Sequence, residues 1–426
     1  MIKKLLCLSL VSLASSSYLD AASGGATAAQ SPTLKINGYS IVNSYFSNQA
    51  HKDYGKGGSE PHINIPVSDI YFTVFGRSSS GIEYKMRVNF QAVPGETAPV
   101  NQNYLEFYGP FGTFHAGCVA GPENRMIHDG ARVAGATGLF DGGLYTVINR
   151  SAGTIGGSND MVGSTGYATK IAWYTPKVYG LQIGFAYTPN TARTGSDKKN
   201  NAFSNNEKVP GSQAGIYPYK KARPWGTKNL SIAALYEKAW KDFSMKLSAA
   251  FVTDTAHYRD AGNYEEGKFK VRGAKSYQLG AIFGYKDFSW GIGYLNNGKS
   301  YIPKGAISID KKVNALKDTD KGNAGRAWNT AVSYTMGAYK LSAGYQGTKR
   351  KTDAQYKATS DIFGIGLDFK ALQGLNFYGE VDSVKMKTND KAIEISRGLD
   401  SKVSKTSRQV RSNHGVAFIA GARISF

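Results

Sequence analysis

From residue 82 to residue 92 the chain alternates strictly: Ile82, Tyr84, Met86, Val88, Phe90 and Ala92 on one parity, Glu83, Lys85, Arg87, Asn89 and Gln91 on the other. Side chains of an extended strand point alternately to opposite faces, so the segment reads as a strand with one apolar and one charged face. A soluble core leaves no use for a full charged row behind an apolar one, whereas lipid outside and water inside use both. Period-two alternation recurs at 33–47, 67–77, 101–109, 112–119, 166–176, 181–189, 228–239, 242–253, 274–285, 287–296, 326–336, 338–347, 358–370, 374–386 and 412–426. In the last of these, Val416, Phe418, Ala420, Ala422, Ile424 and Phe426 share a face, and Ala417, Ile419, Gly421, Arg423 and Ser425 share the other.

The connections alternate as well. Tight turns fall at Ser78–Gly81, Gly109–Gly112, Lys177–Gly180, Lys241–Asp242, Lys286–Asp287, Gly337 and Leu372–Gly374, and longer polar loops separate the hairpins. The pattern predicts an all-β fold, a transmembrane antiparallel β-barrel of about sixteen strands with long loops at one rim and short turns at the other. Composition agrees: the mean hydropathy of −0.35 excludes a bundle of membrane helices, and Gly 50, Tyr 27 and Phe 20 suit short turns and aromatic girdles. No apolar run of about 18 residues occurs after the N-terminus.

That N-terminus reads as a secretory signal over 1–22, with Lys3 and Lys4, an apolar run from Leu5 to Leu13 and small residues after it. Cys7 leaves with it, so Cys118 stands alone and neither an intrachain disulfide nor a cysteine metal site is expected. The remainder, 23–426, reads as a single barrel domain. The formal charge is +21, which falls to +19 without Lys3 and Lys4, or +20 if Asp20 leaves too. Such a balance suits anionic solutes or lipids, and export argues against nucleic acid.

With these strands, the chain resembles the general bacterial porins, outer-membrane barrels of Gram-negative bacteria, over nearly all of its mature length. The terminal Phe426 resembles the signal that the barrel assembly machinery recognises. The resemblance implies a homotrimer with a water-filled channel in each subunit, passing small hydrophilic solutes and ions without any cofactor or metal. It also implies that the third long loop, 120–165, folds inward as a constriction. Pro122-Glu123 is similar to the family's Pro-Glu loop motif, while Asn124-Arg125 departs from its usual continuation. The candidate pore-lining groups of the loop are Glu123, Arg125, His128, Asp129, Arg132 and Asp141; those of the opposite wall are Lys85 and Arg87, extended by Arg77. Acidic loop against basic wall would make a transverse field across the lumen.

Further positive charge falls in the predicted external segments, at Lys198, Lys199, Lys220, Lys221, Arg223, Lys349, Arg350, Lys351, Lys402, Lys405, Arg408 and Arg411. These residues attract anions to the mouth or hold lipopolysaccharide phosphates, and the balance leans towards anion preference. Three other readings stand beside the diffusion pore: a channel specific for phosphate or sugar, an adhesin or structural barrel, and a barrel phospholipase with a Ser–His pair at the lipid face, for which His115 is the candidate base.

Overall fold

A strand apolar on one side and polar on the other stays an open edge until it meets partners on both sides, and a closed ring supplies them. The computed structural model describes residues 29–50, 61–93, 100–140, 144–148, 155–157, 161–191, 223–259, 271–302, 304, 321–351, 357–388 and 412–426. Its strands are β1 (Gln30–Gln49), β2 (His62–Arg77), β3 (Glu83–Gln91), β4 (Val100–Gly109), β5 (Gly112–Cys118), β6 (Thr169–Tyr174), β7 (Leu181–Asn190) and β8 (Arg223–Ala239). They continue as β9 (Phe243–Arg259), β10 (Lys275–Tyr285), β11 (Phe288–Asn296), β12 (Asn323–Met336), β13 (Tyr339–Lys351), β14 (Lys357–Leu372), β15 (Leu375–Thr388) and β16 (Ser412–Ser425). Each pairs antiparallel with its sequence neighbours, and β16 returns to β1 to close the barrel.

The expected fold class is therefore the observed one, with differences at strand ends. β2 starts five residues before the expected 67, running through Pro66, and β8 starts at Arg223 rather than 228. Both early starts lie beyond a register shift, between Ile41 and Asn43 on β1 and between Thr227 and Leu230 on β8. A bulge reverses parity locally, so the alternation that marks a strand breaks there. At the closure Gly38 N donates to Phe426 O at 3.0 Å and Phe426 N returns the bond at 3.1 Å. The Phe426 ring lies where a side chain on Gly38 would be.

Met86, Leu105, Ile171, Leu230, Leu279 and Phe363 stand exposed on the outer face, where the bilayer covers them. Inside, the segment joining β5 to β6 runs along the wall and carries three one-turn helices, α1 (Pro122–Arg125), α2 (Gly130–Val133) and α3 (Leu144–Val147). The main apolar cluster lies between this segment and the wall: Leu139, Phe140, Leu144 and Ile148 pack with Ile362, Val384, Met386 and Ile419. Inward-facing apolar residues on β14–β16 are thus covered by the loop rather than by water.

Candidate pore constriction

Both ends of the inner segment are fastened at one point. Lys170, on the inward parity of β6 and 2% exposed, donates from Nζ to Gly166 O at 2.8 Å and Ala168 O at 2.7 Å, and also to Val119 O. One ammonium thereby joins the start of the loop to its finish. Glu123 does the same from the other side, accepting from Thr165 N at 3.0 Å and Thr165 Oγ1 at 2.7 Å. Behind α1, Met126 and Ile127 pack on Ala172, Ala186, Ala233 and Leu235.

From there the loop crosses the inner wall strand by strand. His128 N donates to Ser248 Oγ on β9 at 3.0 Å, and Gly130 N donates to Asn329 Oδ1 on β12 at 2.9 Å. Asp129 caps α2 by accepting from Ala131 N at 3.1 Å and takes a second bond from Asn329 Nδ2 at 3.1 Å. Gly135 N reaches Ser342 Oγ on β13 at 3.0 Å, Ala136 N reaches Asp368 on β14 at 2.7 Å, and Thr137 N reaches Glu380 on β15 at 2.8 Å. Arg423 on β16 donates to Ala136 O at 2.8 Å, and Gln49 on β1 to Val147 O at 3.1 Å. Glycines on the inward face make the room: a Cβ on Gly280 would stand 2.1 Å from His128 O, and one on Gly344 would stand 2.6 Å from the Phe140 ring.

The uncovered wall is β2–β5, and its inward rows carry charge. Lys85 Nζ lies 2.8 Å from Glu106 Oε1, and His115 Nε2 lies 3.1 Å from Glu106 Oε2. Arg77 pairs with Glu83 at 2.6 Å. Arg87 stacks over the Tyr71 ring at 4.1 Å, and the Tyr71 hydroxyl bonds Asp69 at 3.2 Å. In the pair of β3 with β4 the cation is the open partner, with Lys85 44% and Glu106 14% exposed. Across the loop's root, Arg125 lies 5.8 Å from the Tyr174 ring centroid, next to His115.

A family model described as Gram-negative porin matches residues 12–389. The chain belongs to that family. An uncharacterised protein of Rickettsia conorii is 23% identical over 432 residues, covering 90% of this chain and 93% of its own. OmpT of Vibrio cholerae in its trimer form shares the fold with a TM-score of 0.55 at 12% identity, covering 93% of this chain and 100% of that one. The anion-selective porin from Comamonas acidovorans does so with a TM-score of 0.56 at 13% identity, covering 93% and 100%. This porin is accordingly a multi-pass β-barrel protein of the outer membrane, and its barrel is a channel.

Not every expected lining residue of the porin reaches the lumen. Glu123 and Asp129 are each 2% exposed: their carboxylates serve as acceptors for loop N–H, hydroxyl and amide groups, so neither is a free charge at the water. Arg125 and Arg132 are exposed and His128 is half-buried, with Nε2 4.0 Å from Glu237 Oε1. Burial, with Lys246 nearby, holds the His128 imidazole below its ordinary pKa, so it is neutral at neutral pH. Asp141 lies outside the described residues. Among the described residues the exposed charges of the loop are therefore basic. Arg77, Lys85 and Arg87 all lie on the inward parity, but Arg77 and Lys85 are paired with carboxylates rather than free.

His115 is 1% exposed and faces inward between Tyr104 and Tyr174, with Glu106 on its ring nitrogen. It stands away from the lipid face that the phospholipase reading requires. Residue-type reasoning overlooked Lys170, Asn329, Ser342, Asp368 and Glu380, the wall groups that hold the loop. Their signal was available, because each sits on the inward parity of a strand whose outward parity is apolar.

Proposed function

We propose that the porin passes small hydrophilic solutes and ions by diffusion and that its constriction favours anions. The observation that carries this reading is a division of labour among the lumenal charges. Carboxylates hold the loop, as Glu123, Asp129, Asp368 and Glu380 do, while the cations Lys85, Arg125 and Arg132 keep their exposure. A passing anion meets open positive charge, and a passing cation meets carboxylates already engaged; in a narrow low-dielectric channel that asymmetry biases permeation. The anion selectivity of the Comamonas neighbour and the trimer form of the Vibrio neighbour lend support to anion preference and to a homotrimer with a pore in each chain.

The test is the zero-current potential of the refolded porin in a planar bilayer under a salt gradient. An anion-side potential is expected, with conductance steps in threes for the trimer. Arg125→Gln with Arg132→Gln moves the potential towards zero while the pore stays open. A cation-side potential for the unmodified porin overturns the preference, and a folded barrel that conducts nothing overturns the diffusion reading.

A further inference from the structure

Planar groups follow one another around the wall that the loop leaves uncovered. Tyr39 and Tyr71 lie nearly parallel, 19° apart with centroids at 6.3 Å, and the Arg87 guanidinium sits 4.1 Å over the Tyr71 ring. Tyr104 on β4 stands directly across from Arg87. Its ring is 5.4 Å from His115, which is 5.2 Å from Tyr174, and Arg125 of the loop ends the run 5.8 Å from the Tyr174 centroid. The registers put every wall member on the inward parity of its strand. Tyr104, His115 and Tyr174 in the middle are buried, whereas Tyr39, Tyr71 and Arg87 at one end are half-buried and Arg125 at the other is exposed. A solute in the lumen therefore meets the run at its two ends, each marked by a guanidinium beside a tyrosine ring.

Two features of the β1–β3 end say what it can hold. The Tyr71 hydroxyl donates to Asp69 Oδ2 at 3.2 Å, which fixes the ring that Arg87 lies over. Beside that fixed stack, donors stand without acceptors. Among the described residues Arg87 is in no ion pair, and its buried Nε has no hydrogen-bond partner. Asn89, the next inward residue of β3 and directly across from Tyr71, is 1% exposed with neither atom of its amide bonded. A guanidinium and a carboxamide side by side offer N–H groups that a carboxylate accepts from both oxygens, and the adjoining tyrosine rings offer flat faces.

We propose that the inner face of β1–β3 is a subsite for a carboxylate carried on an aromatic ring, its oxygens accepting from Arg87 and Asn89 and its ring lying against Tyr71 and Tyr39. This inference rests on the anion-favouring channel argued above and names a solute class for it. An inorganic anion uses the donors alone. A saturated ring of the same charge and similar size lacks the π face that stacks on tyrosine and guanidinium.

The test is block of the chloride current through the refolded full-length porin in a planar bilayer. Benzoate is compared with cyclohexanecarboxylate and with inorganic phosphate. Benzoate is expected to halve the current at a concentration about fivefold lower than cyclohexanecarboxylate does, with phosphate weaker than benzoate. Tyr71→Leu keeps an apolar side chain without a π face and is expected to bring the two carboxylates level, while Arg87→Gln weakens both. An open-channel current in potassium chloride shows that each variant has folded. Equal block by benzoate and cyclohexanecarboxylate in the unmodified porin overturns the proposal, as does phosphate as potent as benzoate, which would make Arg87 a station for any anion. The zero-current potential is read in the same membrane: an anion-side value with no ranking of the carboxylates sinks this inference alone, and a cation-side value sinks the preference on which it rests.

Discussion

Lys170 shows how a single side chain in the wall can decide the shape of a pore. Its ammonium satisfies three carbonyls from the two ends of the constriction loop, and it is buried, so water does not replace it. Lys170→Met keeps the apolar stem and strands those acceptors; leaving buried acceptors unsatisfied costs about 1–3 kcal/mol. The expected outcome is a barrel that still folds but unfolds at lower temperature and conducts with larger open-channel noise, checked by heat-modifiability on gels and by single-channel recording. His128 supplies a pH response of known sign. Its folded pKa lies below the ordinary 6.5, so at pH above 6.5 both folded and unfolded forms are neutral. As pH falls below 6.5 the unfolded form takes the proton first and the packed loop loses stability. Once His128 itself is protonated, a positive charge appears beside Arg132 and Lys246. Anion preference is therefore expected to rise on the acid side of pH 6.5, and a reversal-potential titration of His128→Gln should lack that component.

At the scale of the element, the loop is held by a track along the wall, made of polar inward groups alternating with missing side chains. Gly280→Val puts a Cβ within 2.1 Å of the His128 carbonyl oxygen, a backbone atom that cannot turn aside. The loop must lift, and the pore is expected to conduct more and discriminate less, which polymer-exclusion measurements would detect. Thr137→Val removes the hydroxyl bonds to Glu380, at 2.8 and 2.9 Å, while keeping the backbone bond. It should cost about 1 kcal/mol and leave conductance near that of the unmodified porin. The strands were legible from alternation to within a few residues except where a bulge reversed parity near the starts of β2 and β8. The loop's path was not legible, because nothing in the residues from 119 to 168 says which strands they will lie against. Gly280, Gly344 and Ser342 read in sequence as small residues on a strand, and only the neighbour across the lumen gives each a purpose.

For the whole molecule, cations among the described residues face two different media. Lys85, Arg87, Arg125 and Arg132 look into the channel, whereas Arg326, Lys349, Lys385 and Lys387 lie exposed on the outward parity of β12, β13 and β15. Closure joins residues as far apart as Gly38 and Phe426 through a reciprocal pair of backbone bonds. Removing Phe426 deletes both bonds and the ring over Gly38, so a chain ending at Ser425 is expected to refold into detergent with lower yield. Counting the heat-modifiable band against total protein measures that loss.

Side-chain parity is a property of the extended backbone alone, which is why alternation along the chain was enough to foresee the strands, the lipid-facing and water-facing rows, the turns and the closed barrel. The same parity foretold that Arg77, Lys85 and Arg87 face inward. The fate of each loop charge was decided only in the tertiary structure. Glu123 and Asp129 read in the chain like any other loop carboxylates, yet Thr165 and Asn329 each bond a buried oxygen of theirs. A charge is open to a solute or spent on the fold according to what stands within about 3 Å of it, and in this barrel those neighbours come from segments up to 287 residues away in sequence.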